Sequence, residues 1–490
     1  MISGFHKQWF TVLLLISLAT GCGQTNGAGN GEDSATETGA DSEGTDSNSD
    51  DTDSDSDGTD SDSDDTDSDS GPADTASASD EWQDSEIIED AFTPVDRSAI
   101  GVVPFTPEAM LDYHIHMNPA LLADMEANGD DEMYRPAALR VLGADLQEDF
   151  AAVGVRYKGD YSLHHCWDEH GGIRSHAGEC AKLSMSIKFD EYNEDARFFG
   201  LKRLDLHAMS EDDTKLRERL AYSVFNDFGV TTSRTAHARV FINDQAPVLM
   251  LAVEHMDGRF TAWHWPEGGD GNLYKETWPS ASVSEASLIH QLRTNDGPDD
   301  EPDVSMFMDF ASAVVSADET SFLSAMSPFI DIEQVLRYMA VDRAFKNWDG
   351  ITAFYWSDRP HNLYWYHDIE TSNRLILIPW DMDKTMWRYD PYMDPVHYNG
   401  DRPVPDWNVT PSSCSPILTW YGSVSVIPCG CDNFMRLLAA TSWEAFVPIG
   451  EELLDTALTY DALENKVTDW AAQIAPVVAE DPLLNATGWQ

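Results

Sequence analysis

The chain has 490 residues, 42% of them hydrophobic, and a formal net charge of −57, from 87 acidic against 30 basic side chains. That length and composition allow a large buried core, while a surface of that sign repels phosphate backbones and excludes a nucleic-acid partner. The charge is uneven: residues 31–90 hold roughly 24 acids and no Lys or Arg, and the remainder is still acidic, so any bound phosphate compound needs a locally cationic pocket or metal ions.

At the amino terminus, His6 and Lys7 precede an apolar run over 9–18 that is too short to span a membrane as a mature helix and reads as an export signal. Leu18-Ala19-Thr20-Gly21-Cys22 resembles a bacterial lipobox. Two readings follow: lipidation of Cys22 after removal of a signal within residues 1–22, or ordinary signal-peptidase cleavage with Cys22 incidental. Under the first, two or more acyl chains tether the protein stably to a membrane. Gly23 after the cysteine, by resemblance to lipoprotein sorting, points to the outer membrane or cell surface. Residues 23–90 then form an acidic, Ser/Asp-rich segment with almost nothing apolar in its repeat. It cannot bury enough surface to offset chain entropy, and self-repulsion extends it into a disordered stalk. Within it, Asp53-Ser-Asp55-Ser-Asp57-Gly58 copies the first half of an EF-hand loop, but Asp60 replaces the apolar residue and no helices flank it.

The folded part is expected over 91–490. Tyr113-His114-Ile115-His116-Met117 alternates as a strand, its histidines either exposed on a sheet edge or available as ligands, and 118–128 reads as a short helix. Residues 153–158 and 183–189 alternate at period two, as antiparallel strands do. Between them lie His164, His165, Cys166, His170, His176 and Cys180, whose types and spacing fit a zinc site or, more plainly, a Cys166–Cys180 disulfide. A helix is expected from a Ser210 cap, with Leu216, Leu220, Val224 and Phe228 along one face and Gly229 as its stop. Glu218 falls off that stripe. A hairpin follows over 239–253, turning on Asn243-Asp244, then a polar mobile loop over 278–303, then an amphipathic helix over 331–346.

That helix delivers Asn347-Trp348-Asp349-Gly350. Two short strands, 362–366 and 375–379, form a hairpin that runs on into Pro379-Trp380-Asp381-Met382-Asp383. The pairing returns the chain and brings Asp349 and Asp381 to one end. Carboxylates gathered there repel each other unless water or a divalent cation separates them, and magnesium bound by one or two carboxylates plus substrate phosphates suits the pattern. Residues 387–428 look irregular, with Cys414 available to Cys429 or Cys431. Cys429-Gly430-Cys431 is too tight for a zinc site, and five cysteines beyond Cys22 leave one thiol over. Residues 434–479 read as mostly helical.

Several of these stretches together resemble the spore coat protein H (CotH) kinase family, an atypical branch of the protein kinases. They are Arg156-Tyr157-Lys158-Gly159, Lys182–Phe189, Leu216–Leu220, Val240–Asn243, Gly271–Lys275 and the closing Pro-Trp-Asp-x-Asp. The resemblance covers about residues 156–387. It implies an α+β, two-lobed kinase-like fold, with an antiparallel sheet in the smaller lobe and a mainly helical larger lobe. It also implies ATP and Mg2+ (or Mn2+) as cofactors and a protein substrate with Ser or Thr acceptors, its own stalk among the candidates. In that scheme Asp381 is the metal ligand, with Asp383 and Asn362 as further ligands, and Asp349 holds the acceptor hydroxyl. Lys188 is the phosphate-side lysine and Glu218 orients it, although the residues alone equally allow Glu218 to be a solvated ion-pair partner. Arg156 and Lys158 are alternative phosphate contacts, and Lys182 is a further candidate. The chain lacks a Gly-x-Gly-x-x-Gly loop, and Asp-Met-Asp stands in place of Asp-Phe-Gly. A catalytically idle surface adhesion or structural protein is the rival expectation.

Overall fold

The first folded element sets the architecture: β1 (Leu111–Met117) pairs with β2 (Arg135–Leu142) on one side and, in parallel, with β6 (Thr235–Ile242) on the other. This computed structural model describes residues 99–484, apart from 109, 168–173, 176–177, 211, 244, 298–299, 356–358, 387–406, 409–410, 412, 416 and 420–423. The export signal, Cys22, the stalk, His170 and His176 lie outside the described residues.

The β1–β6 pairing closes a barrel in the order β1-β2-β3-β4-β5-β7-β6, through β3 (Gln147–Tyr157), β4 (Met185–Lys188), β5 (Arg203–His207) and β7 (Val248–Glu254). Alternate residues of these strands, among them Ile115, Val141, Val155, Ile187, Leu206, Val240 and Met250, fill its interior. A second core holds the helices and two three-stranded sheets. One sheet runs β11 (Arg374–Pro379), β10 (Leu363–Asp368), β8 (Leu273–Lys275); the other runs β12 (Ile417–Thr419), β13 (Val424–Ile427), β9 (Phe354–Tyr355).

The α+β content is as expected, but the two-lobed kinase-like arrangement is not what the chain adopts. Its main sheet is a closed seven-stranded barrel, and the remaining strands form separate small sheets among the helices. The closure joins residues 111–115 to 238–242 in parallel. Such a contact has no connecting turn, so no local sequence signal announces it. For the same reason β1 is not an edge strand: His114 and His116 sit half-exposed on the outer face of a strand paired on both sides.

Most local expectations hold. The 331–346 helix is Ile332–Ala344, with the Asp331 side chain capping Glu333 N–H. The carboxy-terminal segment is the pair of helices Asn433–Asp455 and Tyr460–Glu480. The 210–229 helix starts later than expected, at Arg217–Asp227. Asp212, and not Ser210, serves its entry, accepting the Arg217 N–H at 2.7 Å. The 278–303 segment is anchored and not a free loop: it holds the helix Glu285–His290 and buries Trp278, Leu288 and Leu292. Cys166–Cys180 and Cys414–Cys431 form disulfides, leaving Cys429 as a buried thiol.

Two buried groups give the fold a pH dependence. Burial would raise the Glu254 carboxyl, yet Arg234 and His264 hold it down to about 2. Burial, then Arg219, pushes His237 down to about 3, with Arg219 donating to its Nδ1 at 2.8 Å. Both folded values are depressed, so each contribution is complete above the group's ordinary value, 4.5 for Glu254 and 6.5 for His237. Each is lost as pH falls through the folded value. Through these two groups, denaturant titrations are expected to find the fold less stable at pH 3 than at pH 7. Glu254→Gln should shrink that difference; an identical pH dependence in the variant would contradict the assignment.

Candidate functional site

The outer face of the barrel supplies one wall of the site. Along β3, β4 and β5 the pleat turns Val155, Tyr157, Ile187, Leu204 and Leu206 inward, which sends Arg156, Lys158, Ser186, Lys188, Arg203, Asp205 and His207 outward. The helix Arg217–Asp227 and the end of β11 meet this face.

Lys158 is the hub. Its Nζ lies 3.1 Å from His207 Nε2, 3.6 Å from Asp205 Oδ2 and 5.2 Å from the centre of the Trp380 ring. A lysine ammonium only donates, so Nε2 accepts and the ring carries its proton on Nδ1. Nδ1 then donates at 2.7 Å to Oε1 of the fully buried Glu218. Lys158, on the barrel, and Glu218, on the helix, are thus joined through an imidazole. Asp205 also accepts the Nδ1–H of His255 at 2.9 Å.

Asp381 completes the cluster. It adopts a left-handed backbone with φ +52°, uncommon for a residue with a side chain, and its N–H donates to the Tyr222 hydroxyl at 2.9 Å. Tyr222 stands four residues after Glu218, so one helix face holds both. Donor atoms of His207, Glu218 and Asp381 all lie within 4.8 Å of one another. The electrostatics follow from burial. Burial, then Asp381, lifts the Glu218 carboxyl well above the usual range, and burial, then Lys158, pushes His207 down to about 4. Burial would raise Asp205 too, but Lys158 and His255 outweigh it and hold it well below its usual value.

Asp349 reaches the same end of the hairpin through its main chain. The Asn362 side chain donates to the Asp349 carbonyl at 2.9 Å, and the Asn362 carbonyl accepts the N–H of Trp380 at 3.1 Å. The Asp349 turn is held in place by Asn347, which is buried, accepts the Asp349 N–H at 3.2 Å and donates to Asp342 at 3.0 Å. Gly350 is required there, since a Cβ would stand 2.3 Å from Asn347 Nδ2. Asp383 lies in the single 3-10 turn Met382–Lys384 that follows Asp381.

Other cations considered for the phosphate side lie elsewhere. Lys188 pairs with Glu191 at 2.9 Å and Glu218 with His207, so the Lys188–Glu218 pair is not formed. Arg156 is buried and paired with Glu132. Lys182 donates to the Leu249 carbonyl at 2.7 Å, and burial pushes it down to about 8. Sequence reading did not single out Asp205, His207, His255 or Tyr222. The alternation of Arg203-Leu-Asp-Leu-His207 was a usable signal, since it puts all three polar side chains on one strand face.

Residues 155–487 match the family model described as CotH kinase protein. The chain belongs to the CotH family. The match begins beside Lys158 and extends beyond Asp381 through both carboxy-terminal helices. Inner spore coat protein H of Bacillus subtilis is 23% identical over 378 residues, 76% of this chain and 88% of that protein. Invasin CotH7 of Rhizopus delemar is 25% identical over 185 residues, 36% of this chain and 30% of that protein. No helix among the described residues is long and apolar enough to cross a membrane.

Proposed function

We propose that this CotH-family chain is an exported kinase that moves the ATP γ-phosphate to Ser or Thr of surface or secreted proteins. The observation that carries this reading is the convergence of Lys158, His207, Glu218 and Asp381, with Asp349 tied to the same turn. Phosphoryl transfer needs positioned cations on the phosphates, a placed acceptor hydroxyl and exclusion of water. Among the candidate cations, Lys158 contacts His207 of the cluster that holds Asp381, and Asp205 with His207 fixes its ammonium. Asp381, with Asp383 and Asn362, offers the hard oxygen donors that Mg2+ or Mn2+ takes. When bound, that ion neutralises charge on the phosphates. Asp349 accepts the proton of the acceptor hydroxyl.

A second reading, a surface adhesion or structural protein without catalysis, is favoured by the name of one relative, an invasin. Calorimetric titration of the full chain with ATP, with and without Mg2+, separates the two. Metal-dependent binding supports the kinase; no binding with or without Mg2+ leaves adhesion.

Membrane tethering rests on Cys22. Cys22→Ser is expected to release the mature protein from the membrane fraction and remove its acyl mass; unchanged partitioning would contradict it. The stalk is a candidate acceptor, because its Ser and Thr lie among acids and tethering keeps their local concentration high. Mass spectrometry after incubation with ATP is expected to find phosphates between Ser42 and Ser70. Modification confined to residues 91–490 would reject this.

A further inference from the structure

The geometry points to His207, Glu218 and Asp381 as a three-donor centre for a first-row transition ion such as Mn2+, distinct in its ligands from an oxygen-only magnesium site. Two observations carry it. First, the three side chains come from three separate elements, β5, the Arg217–Asp227 helix and the turn after β11, yet their donor atoms gather within 4.8 Å. His207 Nδ1 and Glu218 Oε1 stand 2.7 Å apart, close to the spacing of neighbouring donors that each lie about 2.1 Å from one ion. Second, the other oxygen of Glu218, Oε2, is buried without a hydrogen-bond partner in a side chain that is 0% exposed. An oxygen buried without a partner beside a second carboxyl group is a position that a cation between the two fills favourably.

The imidazole decides the kind of ion. Mg2+ takes oxygen donors and dehydrates reluctantly, whereas Fe2+ and Zn2+ suit imidazole, and Mn2+, which suits carboxylates, sits above Mg2+ in its tolerance of one nitrogen beside two of them. For Nδ1 to bind the ion, the ring proton moves from Nδ1 to Nε2, so no proton is gained or lost by the ring. Nε2 then no longer accepts from Lys158, which keeps Asp205 as its partner at 3.6 Å. Loading the centre therefore loosens one of the contacts that hold the Lys158 ammonium, leaving it freer for a phosphate. Asp381 is shared with the kinase reading, but the centre stands without it: nitrogen ligation is read with the metal alone, in the absence of ATP.

The test is pulsed electron paramagnetic resonance of the full chain loaded with one equivalent of Mn2+, beside Mn2+ titrations of His207→Gln and Glu218→Gln. Residues 23–90 contain no histidine, so metal held by the acidic stalk gives no nitrogen coupling. The wild-type chain is expected to show coupling to a histidine nitrogen that His207→Gln abolishes. Each variant should weaken Mn2+ binding at least ~10-fold, while far-ultraviolet circular dichroism confirms that it folds. An excess of Mg2+ should leave the nitrogen signal in place. Absence of nitrogen coupling in the wild type, or Mn2+ affinity unchanged from wild type in both variants, overturns the centre and leaves Lys158–His207–Glu218 as a hydrogen-bonded chain. Nitrogen coupling without any phosphate transfer would keep the centre and reject the kinase reading.

Discussion

Asp381→Asn is expected to abolish phosphate transfer and weaken metal-dependent ATP binding together, whereas Asp349→Asn should lower transfer and leave ATP affinity nearly intact. The split follows from their places. Asp381 sits beside His207, Glu218 and the Lys158–Trp380 contact, where the charge of a nucleotide and its metal must be met. Removing its charge removes a metal ligand, and both binding and chemistry depend on that. Asp349 lies on the other side of Asn362, at the end of the buried Asn347 turn, and in the proposed scheme touches only the acceptor. Loss of a general base costs roughly 10² to 10⁴ in rate without a matching loss of nucleotide affinity. Titration calorimetry beside a transfer assay reads both quantities. If both variants bind and transfer normally, the site is misplaced; if Asp349→Asn alone destroys binding, the roles are exchanged.

Trp365→Ala should cost about 3–5 kcal/mol of stability, the range for large aromatic truncations in a core. Trp365 is fully buried in β10, paired with Leu377 and Tyr274, and its ring lies 5.5 Å from Phe310 and 6.2 Å from Phe307. It therefore pins the hairpin that carries Asp381 to the second core. Its indole Nε1–H is buried without a hydrogen-bond partner, so Trp365→Phe forfeits no hydrogen bond and is expected to cost markedly less than the alanine variant. Urea titration of the two variants checks this. A loss below ~1 kcal/mol for Trp365→Ala would mean that the surroundings collapse onto the site or that the hairpin is not integral to this core.

The hairpin and its two aspartates were legible because their signals are local: aromatic and apolar runs bounded by proline, with polar residues between. The Ile332–Ala344 helix was legible for the same reason, through its cap and periodicity. The barrel was not, because its closure pairs β1 with β6 across more than a hundred residues. The partner of Glu218 was missed by a related route. Lys188 and Lys158 both point outward, on neighbouring strands, and sequence cannot say which of them reaches the helix. Register decides: Lys188 lies opposite Gly154, nearer Glu191, whereas Lys158 follows the last residue of β3 and reaches His207. A histidine between lysine and glutamate leaves no signature in spacing, since the three come from the residue after β3, from β5 and from a helix.

Metal-dependent phosphoryl transfer is read directly as transfer of label from γ-labelled ATP by the full chain, with Mg2+ or Mn2+. Label is expected in protein, on the chain itself or on an acidic Ser/Thr acceptor, and is expected to be lost on chelation and in Asp381→Asn. Release of free phosphate with no label in any protein, or labelling that persists in Asp381→Asn, would contradict it.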